Sequence, residues 1–223
     1  VIIKTAWGGK SLHTDFRPPG SGPYEFPEAQ LAAFKKQGKD IEQIKADKAK
    51  ATGHYYRLMM DHVKKVLGDL KRVYPGYYPQ QGCQVAGFVW FQGWNDMVDG
   101  GTYPHRDQPG GYDQYSTVLA QFIRDVRKDL AAPKLPFVIG VMGVGGPVEK
   151  YAPDQQRYKS VHQNFRLAMA APAALPDKDA TLLLYCRSGH RSAQAAAKLA
   201  ALGYTHVYDF GGINSWPYDV VTD

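Results

Sequence analysis

Residues 185–192 read YCRSGHRS and place one cysteine among two arginines, two serines, a glycine and a histidine. A cysteine at the end of an apolar run, followed by a loop that enters a helix, meets inward-pointing N–H groups and the positive end of the helix dipole. Its thiolate is favoured, which makes Cys186 a candidate nucleophile. Arg187 and Arg191 add positive charge suited to an anionic substrate, and Gly189 lets the backbone curl around the sulfur. Ser188, His190 and Ser192 complete the candidate substrate-binding set. A thiolate already formed near neutral pH needs no base, so His190 reads as an exposed loop residue rather than a proton acceptor. The alternative is an inert core cysteine, a reading that flanking arginines disfavour.

Such a loop has to be held by a strand in front and a helix behind. VIIKTAW (1–7), VAGFVWFQ (85–92), FVIGVMG (137–143), TLLLYC (181–186) and HVYDF (206–210) predict strands buried on both faces. Between them, Tyr55, Met59, Val63, Val66 and Leu70 mark one helix. Tyr115, Leu119, Phe122, Val126 and Leu130 mark another, and Tyr158, Val161, Phe165 and Met169 a third. The run 192–202 is a fourth, stopped by Gly203. The alternation predicts an α/β fold with a mainly parallel sheet in a three-layer α/β/α arrangement. Sites in such sheets lie beyond the carboxyl ends of the strands. GGKSL (8–12), GWND (93–96), GVGG (143–146) and the cysteine loop all fall there. The connection 93–111 is long for a strand-to-helix link, which suggests a binding loop.

Composition narrows the function classes. Lys+Arg of 27 against Asp+Glu of 21 gives a net charge of +6, and the lysines between 35 and 50 are interleaved with acids. That pattern is a solvated helix face and argues against nucleic acid as a partner. The apolar, uncharged run 135–148 is broken by Gly and Pro and falls short of the ~20 residues that cross a bilayer, so no membrane partner is expected. The sequence contains no Cys/His cluster with zinc-like spacing and no Gly-x4-Gly-Lys-Ser loop, so neither a metal nor another cofactor is expected. Cys83 lies before the second strand and Cys186 at the end of the fourth, roughly 20 Å apart in a parallel sheet. A disulfide needs Cα atoms within ~7 Å, so both thiols are expected to be free.

Two resemblances emerge. Through GGKSL, FQGWND (91–96) and GVMGVGG (140–146), residues 1–172 resemble the SGNH hydrolases of the sialate O-acetylesterase-like, carbohydrate-esterase type. That resemblance implies an oxyanion hole, with Gly9 and Asn95 as donors to an acyl-transfer intermediate. A plain turn or helix cap at Asn95 and Asp96 is the alternative. The family's nucleophile block, Gly-x-Ser after an early strand, and its C-terminal general-base His have no counterpart here. Ser11 belongs to a different block, and His13, His105 and His162 match no catalytic position. Residues 173–223 resemble the C-terminal half of a rhodanese, through the Cys-x4-Arg loop, the Ala-rich helix, the LGY turn and the GG-x3-W ending at 211–216. Cysteine phosphatases use Cys-x5-Arg, one residue longer. The rhodanese resemblance implies sulfur transfer through a Cys186 persulfide, with Arg187, Ser188, Gly189, His190, Arg191 and Ser192 around a small anionic sulfur donor.

Three functions follow: a sulfurtransferase, a carbohydrate O-acetylesterase acting on an acetylated saccharide, and a non-catalytic saccharide binder using the aromatic loops around Trp90 and Trp94. Both resemblances imply a periplasmic or secreted bacterial protein. TLLLYC begins where the esterase family places its next strand, so the 173–223 segment is expected to complete one composite sheet.

Overall fold

The computed structural model describes residues 2–171, 182–186, 188–201, 203–212 and 214. Arg187, Leu202 and the GG-x3-W tryptophan, Trp216, lie outside the described residues. Helices α1 (Glu28–Lys36), α2 (Ile41–Ala51), α3 (His54–Gly68) and α4 (Leu70–Val73) precede strand β1 (Phe88–Trp90). There follow α5 (Trp94–Val98), α6 (Asp113–Asp129), β2 (Phe137–Ile139), α7 (Lys159–Met169), β3 (Leu182–Cys186), α8 (His190–Ala201) and β4 (Val207–Gly212). The fold is α/β, with small parallel sheets among many helices.

The four apolar periodicities match α3, α6, α7 and α8 to within a few residues, because a helix's buried stripe is written in its own sequence. α6 buries Tyr115, Leu119, Phe122, Ile123 and Val126, while α7 buries Val161, Phe165 and Met169. These residues join Leu12, Phe16, Tyr56, Met59, Trp90, Phe137 and Met142 in one hydrophobic core. Phe122 lies among Tyr56, Phe88, Trp90 and Phe137, with its ring centroid 4.3 Å from that of Trp90.

The strands depart from expectation. β1 pairs with β2 in parallel, Phe88 opposite Phe137 and Trp90 opposite Ile139, and β3 pairs with β4, Leu182 opposite Val207. The expected continuous sheet is therefore seen as two parallel pairs; β3 packs against β2 without a shared ladder among the described residues. Residues 2–7 form no strand, and together with β1 they line a groove of about 910 Å³. β2 ends at Ile139, where Gly140 abuts the Phe91 ring before the glycine-rich turn leaves the sheet. Nor are the strands buried on both faces. Val89 and Tyr208 are at least half exposed.

Candidate functional site

Cys186 ends β3 opposite Gly212 of β4, after an irregularity in the register at Leu184 to Cys186. Its thiol is buried, 5% exposed. Three residues on, Gly189 adopts φ +85°, a conformation that favours glycine, and its N–H points at Cys186 Sγ at 3.1 Å. Burial pushes the thiol up, but the backbone N–H groups of Ser192, Arg191 and Ser188, together with the Ser192 hydroxyl, outweigh it and bring the pKa down to about 7. The cradle is closed from β4. A side chain at Gly212 would come within 2.6 Å of the Ser188 backbone and 2.8 Å of the Gly189 nitrogen, so only glycine lets the strand approach the loop. Ser192 is buried, and its hydroxyl is 2.9 Å from the Gly189 carbonyl and 3.3 Å from that of Gly211, binding loop to strand.

The other sequence-chosen residues separate into those at the sulfur and those elsewhere. Ser188 and His190 are exposed, and His190 Nε2 lies 3.2 Å from Gln194 Nε2 on the helix surface. Arg191 offers its backbone N–H to the sulfur but sends its guanidinium to the turn after β2. There it occupies the space that a side chain on Gly143 would fill, 2.5 Å from the Cβ position. The cysteine loop and the carboxyl end of β2 therefore meet.

The second constellation lies past β1. Asn95 Nδ2 is 3.9 Å from the position a Cβ on Gly9 would take, so the two residues carried over from the esterase resemblance are brought together. The residue that joins them is Asp96, which is fully buried. It accepts from the Leu12 N–H at 2.7 Å, the His13 N–H at 3.0 Å, Gln92 Nε2 at 2.6 Å and the Tyr103 hydroxyl at 3.1 Å. Burial raises the Asp96 carboxyl, against the pull of His13 and of the Leu12, Gln92 and His13 donors. Sequence reasoning passed over Asp96 as a turn former. Its signal, an acid beside a motif asparagine, becomes legible only when the GGKSL turn is seen to lie on it.

Ser11 is no free nucleophile: its hydroxyl and N–H both donate to Asp15, at 2.9 and 2.8 Å. His13 sits between Asp99 Oδ2 at 3.1 Å and Thr14 Oγ1 at 2.6 Å, and Thr14 also accepts from Lys48 Nζ at 3.1 Å. The order carboxylate, imidazole, hydroxyl has the sequence of a catalytic relay, but His13 and Thr14 are buried, and the chain of contacts ties the 8–17 segment to α2 and to the 99–102 turn. The aromatics along β1 and the loop after it divide. Trp90 belongs to the core, whereas Phe91 and Trp94 are 67% and 55% exposed. Cys83 is exposed and free, and no group of three or more metal-ligating side chains occurs among the described residues.

Comparison with known proteins finds two similarities. The family model described as carbohydrate esterase, sialic acid-specific acetylesterase matches residues 1–201, a span that runs through β3 and α8. The chain is also similar to the thiosulfate sulfurtransferase PspE of Escherichia coli (strain K12), 30% identical over 92 residues that make up 39% of this chain and 88% of that protein. That stretch is longer than residues 173–223, so the similarity takes in chain ahead of Ala173 and overlaps the esterase match. No solved structure matches the chain. By its match over residues 1–201, the chain belongs to the carbohydrate esterase, sialic acid-specific acetylesterase family, and it carries in addition a segment related to a thiosulfate sulfurtransferase.

Proposed function

We propose that this protein is a sulfurtransferase that moves sulfane sulfur from a small anionic donor such as thiosulfate to a thiophilic acceptor. The observation that carries this reading is the Cys186 cradle, in which loop amides and the Ser192 hydroxyl hold the thiol at a pKa of about 7. The thiolate attacks the outer sulfur of thiosulfate. An S–S bond forms to Cys186, the bond to the sulfonate sulfur breaks, and sulfite leaves with its electron pair. An acceptor such as cyanide then takes the outer sulfur, and the Cys186 thiolate departs unchanged. Amides aimed at the sulfur stabilise both the attacking and the leaving thiolate. Arg187, Ser188, Gly189, His190, Arg191 and Ser192 are assigned to holding the donor. Incubation with thiosulfate is expected to add the mass of one sulfur atom to Cys186, and Cys186→Ser to abolish thiocyanate formation. Labelling confined to the exposed Cys83 would refute the proposal.

The neighbouring Gly9 and Asn95 favour a second reading, carbohydrate O-acetyl ester binding in the esterase manner. A glycine backbone and a side-chain amide brought this close suit an ester carbonyl oxygen, and the exposed Phe91 and Trp94 rings suit a saccharide face. With Ser11 engaged by Asp15, p-nitrophenyl acetate hydrolysis is expected to stay near background. Robust turnover that Ser11→Ala removes would instead make the protein an esterase. In either reading we assign the four strands to one three-layer α/β/α body, supported by β3 packing beside β2 and by an esterase family match that extends across β3 and α8.

A further inference from the structure

Two arginines reach the turn after β2 from different helices. From α7, Arg166 donates Nη1 to the Val144 carbonyl and lies 3.2 Å from the Tyr151 hydroxyl, which also contacts Val144 O at 3.2 Å and His162 Nδ1 at 3.1 Å. From α8, the Arg191 guanidinium lies on Gly143, the preceding residue. One nitrogen of each, Arg166 Nη2 and Arg191 Nη1, is buried with no hydrogen-bond partner. Among the described residues neither arginine is paired with a carboxylate. A buried guanidinium nitrogen without an acceptor is costly, and two on consecutive residues of one turn repel as well. A planar cation carrying an unused N–H is the ordinary partner of an oxyanion.

We infer that Arg166 and Arg191 together bind a small oxyanion against the 143–146 turn, at the seam where the β2 and β3 segments meet. The ligand class is a sulfonate or carboxylate with at least two free oxygens, one for each guanidinium. The site shares Arg191 with the donor-holding loop of the sulfur-transfer reading but takes no group from Cys186, so sulfate binding and persulfide formation are tested apart.

Inorganic sulfate is the probe. At low millimolar sulfate, compared with sodium chloride of equal ionic strength, the full chain is expected to show a saturable rise in melting temperature. About 3–6 °C is expected at tenfold saturation. Arg166→Gln and Arg191→Gln should each abolish the shift, and Gly143→Ala should do so without altering charge by displacing the Arg191 guanidinium. Cys186→Ser should retain it. Competition identifies the natural source: thiosulfate displacing sulfate assigns a sulfur oxyanion, while free sialic acid displacing it where its methyl ester does not assigns a sugar carboxylate. An unsaturable shift equal in all variants overturns the inference. So does a shift that only one of the two arginines controls, and so does retention of the full shift in Gly143→Ala. Should a glutamine variant fail to fold, calorimetric titration of sulfate into Gly143→Ala and the parent decides the question.

Discussion

At Cys186 two opposing effects set the chemistry. Burial alone would raise the thiol, yet the amides of residues 188, 191 and 192 and one hydroxyl hold it at about 7. The sign is direct: a lowered pKa places the thiolate at lower pH, so the rate of Cys186 alkylation by iodoacetamide is expected to rise to half its plateau near pH 7. An ordinary thiol does so near 8.5. Ser192→Ala, which removes the hydroxyl and leaves the amides, should move that midpoint upward. A midpoint unchanged in Ser192→Ala, or lying at the ordinary value in the parent, would contradict the cradle. Cys186 and Gly189 were legible in the sequence because a nucleophile and a left-handed glycine announce themselves locally. The part played by Ser192 was not, because its partner at Gly211 is supplied by a strand 19 residues away. Arg191 was legible as a charge near the cysteine. Its destination at Gly143 was not, because only tertiary packing decides where a long side chain ends.

Among the elements, the β4 strand does for the cysteine loop what Asp96 does for the GGKSL turn: each brings a distant segment against a strand end. For β4 this depends on Gly212 having no side chain, so Gly212→Ala is expected to push the loop backbone aside. About 1–3 kcal/mol of stability should be lost, with about a hundredfold loss of sulfur transfer from a displaced cradle. Substitution at Gly203, around which the space is open, should leave transfer unaffected by such a clash, although its φ of +86° disfavours any side chain. Equal transfer rates in Gly212→Ala and the parent would show that the close approach does not matter. The same contrast explains what was readable of the fold. The periodicities of α3, α6 and α7 came through because one helix face is buried in one core. The extent of the strands did not, because a strand ends where its partner leaves. β1 covers only Phe88–Trp90 of an eight-residue apolar run for that reason. Helices α1 and α2, which bury no residue, gave no stripe to read beyond a charged face.

For the whole molecule, the question is how far residues 182–212 depend on what precedes them. Their buried cluster is Leu182, Leu184, Leu199 and Tyr204, and it is distinct from the larger core built on α3, α6 and α7. So small a cluster among the described residues does not hold an independent domain. The segment therefore needs the surface offered by Ile139, Val141, Met169 and Ala171, which with Leu182, Leu184 and Leu199 line a small cavity between the two parts. Among the described residues the larger core contains none of the tail, which sets an asymmetric expectation: the tail depends on the body more than the body depends on the tail. Residues 173–223 produced alone should lack a cooperative melt. Residues 1–172 alone should keep one, lowered by about 5–15 °C for the loss of two to four kcal/mol of apolar burial along β2 and α7. Circular dichroism of the two fragments and the parent makes the comparison. If residues 1–172 are unfolded at 25 °C, β3 is an integral strand of one sheet. If residues 173–223 melt cooperatively, the cysteine loop belongs to an autonomous module. The expected pattern leaves the Cys186 cradle dependent on the body of the esterase-family region, and it predicts that any substitution loosening the Ile139 and Val141 surface lowers the reactivity of Cys186 without touching its loop.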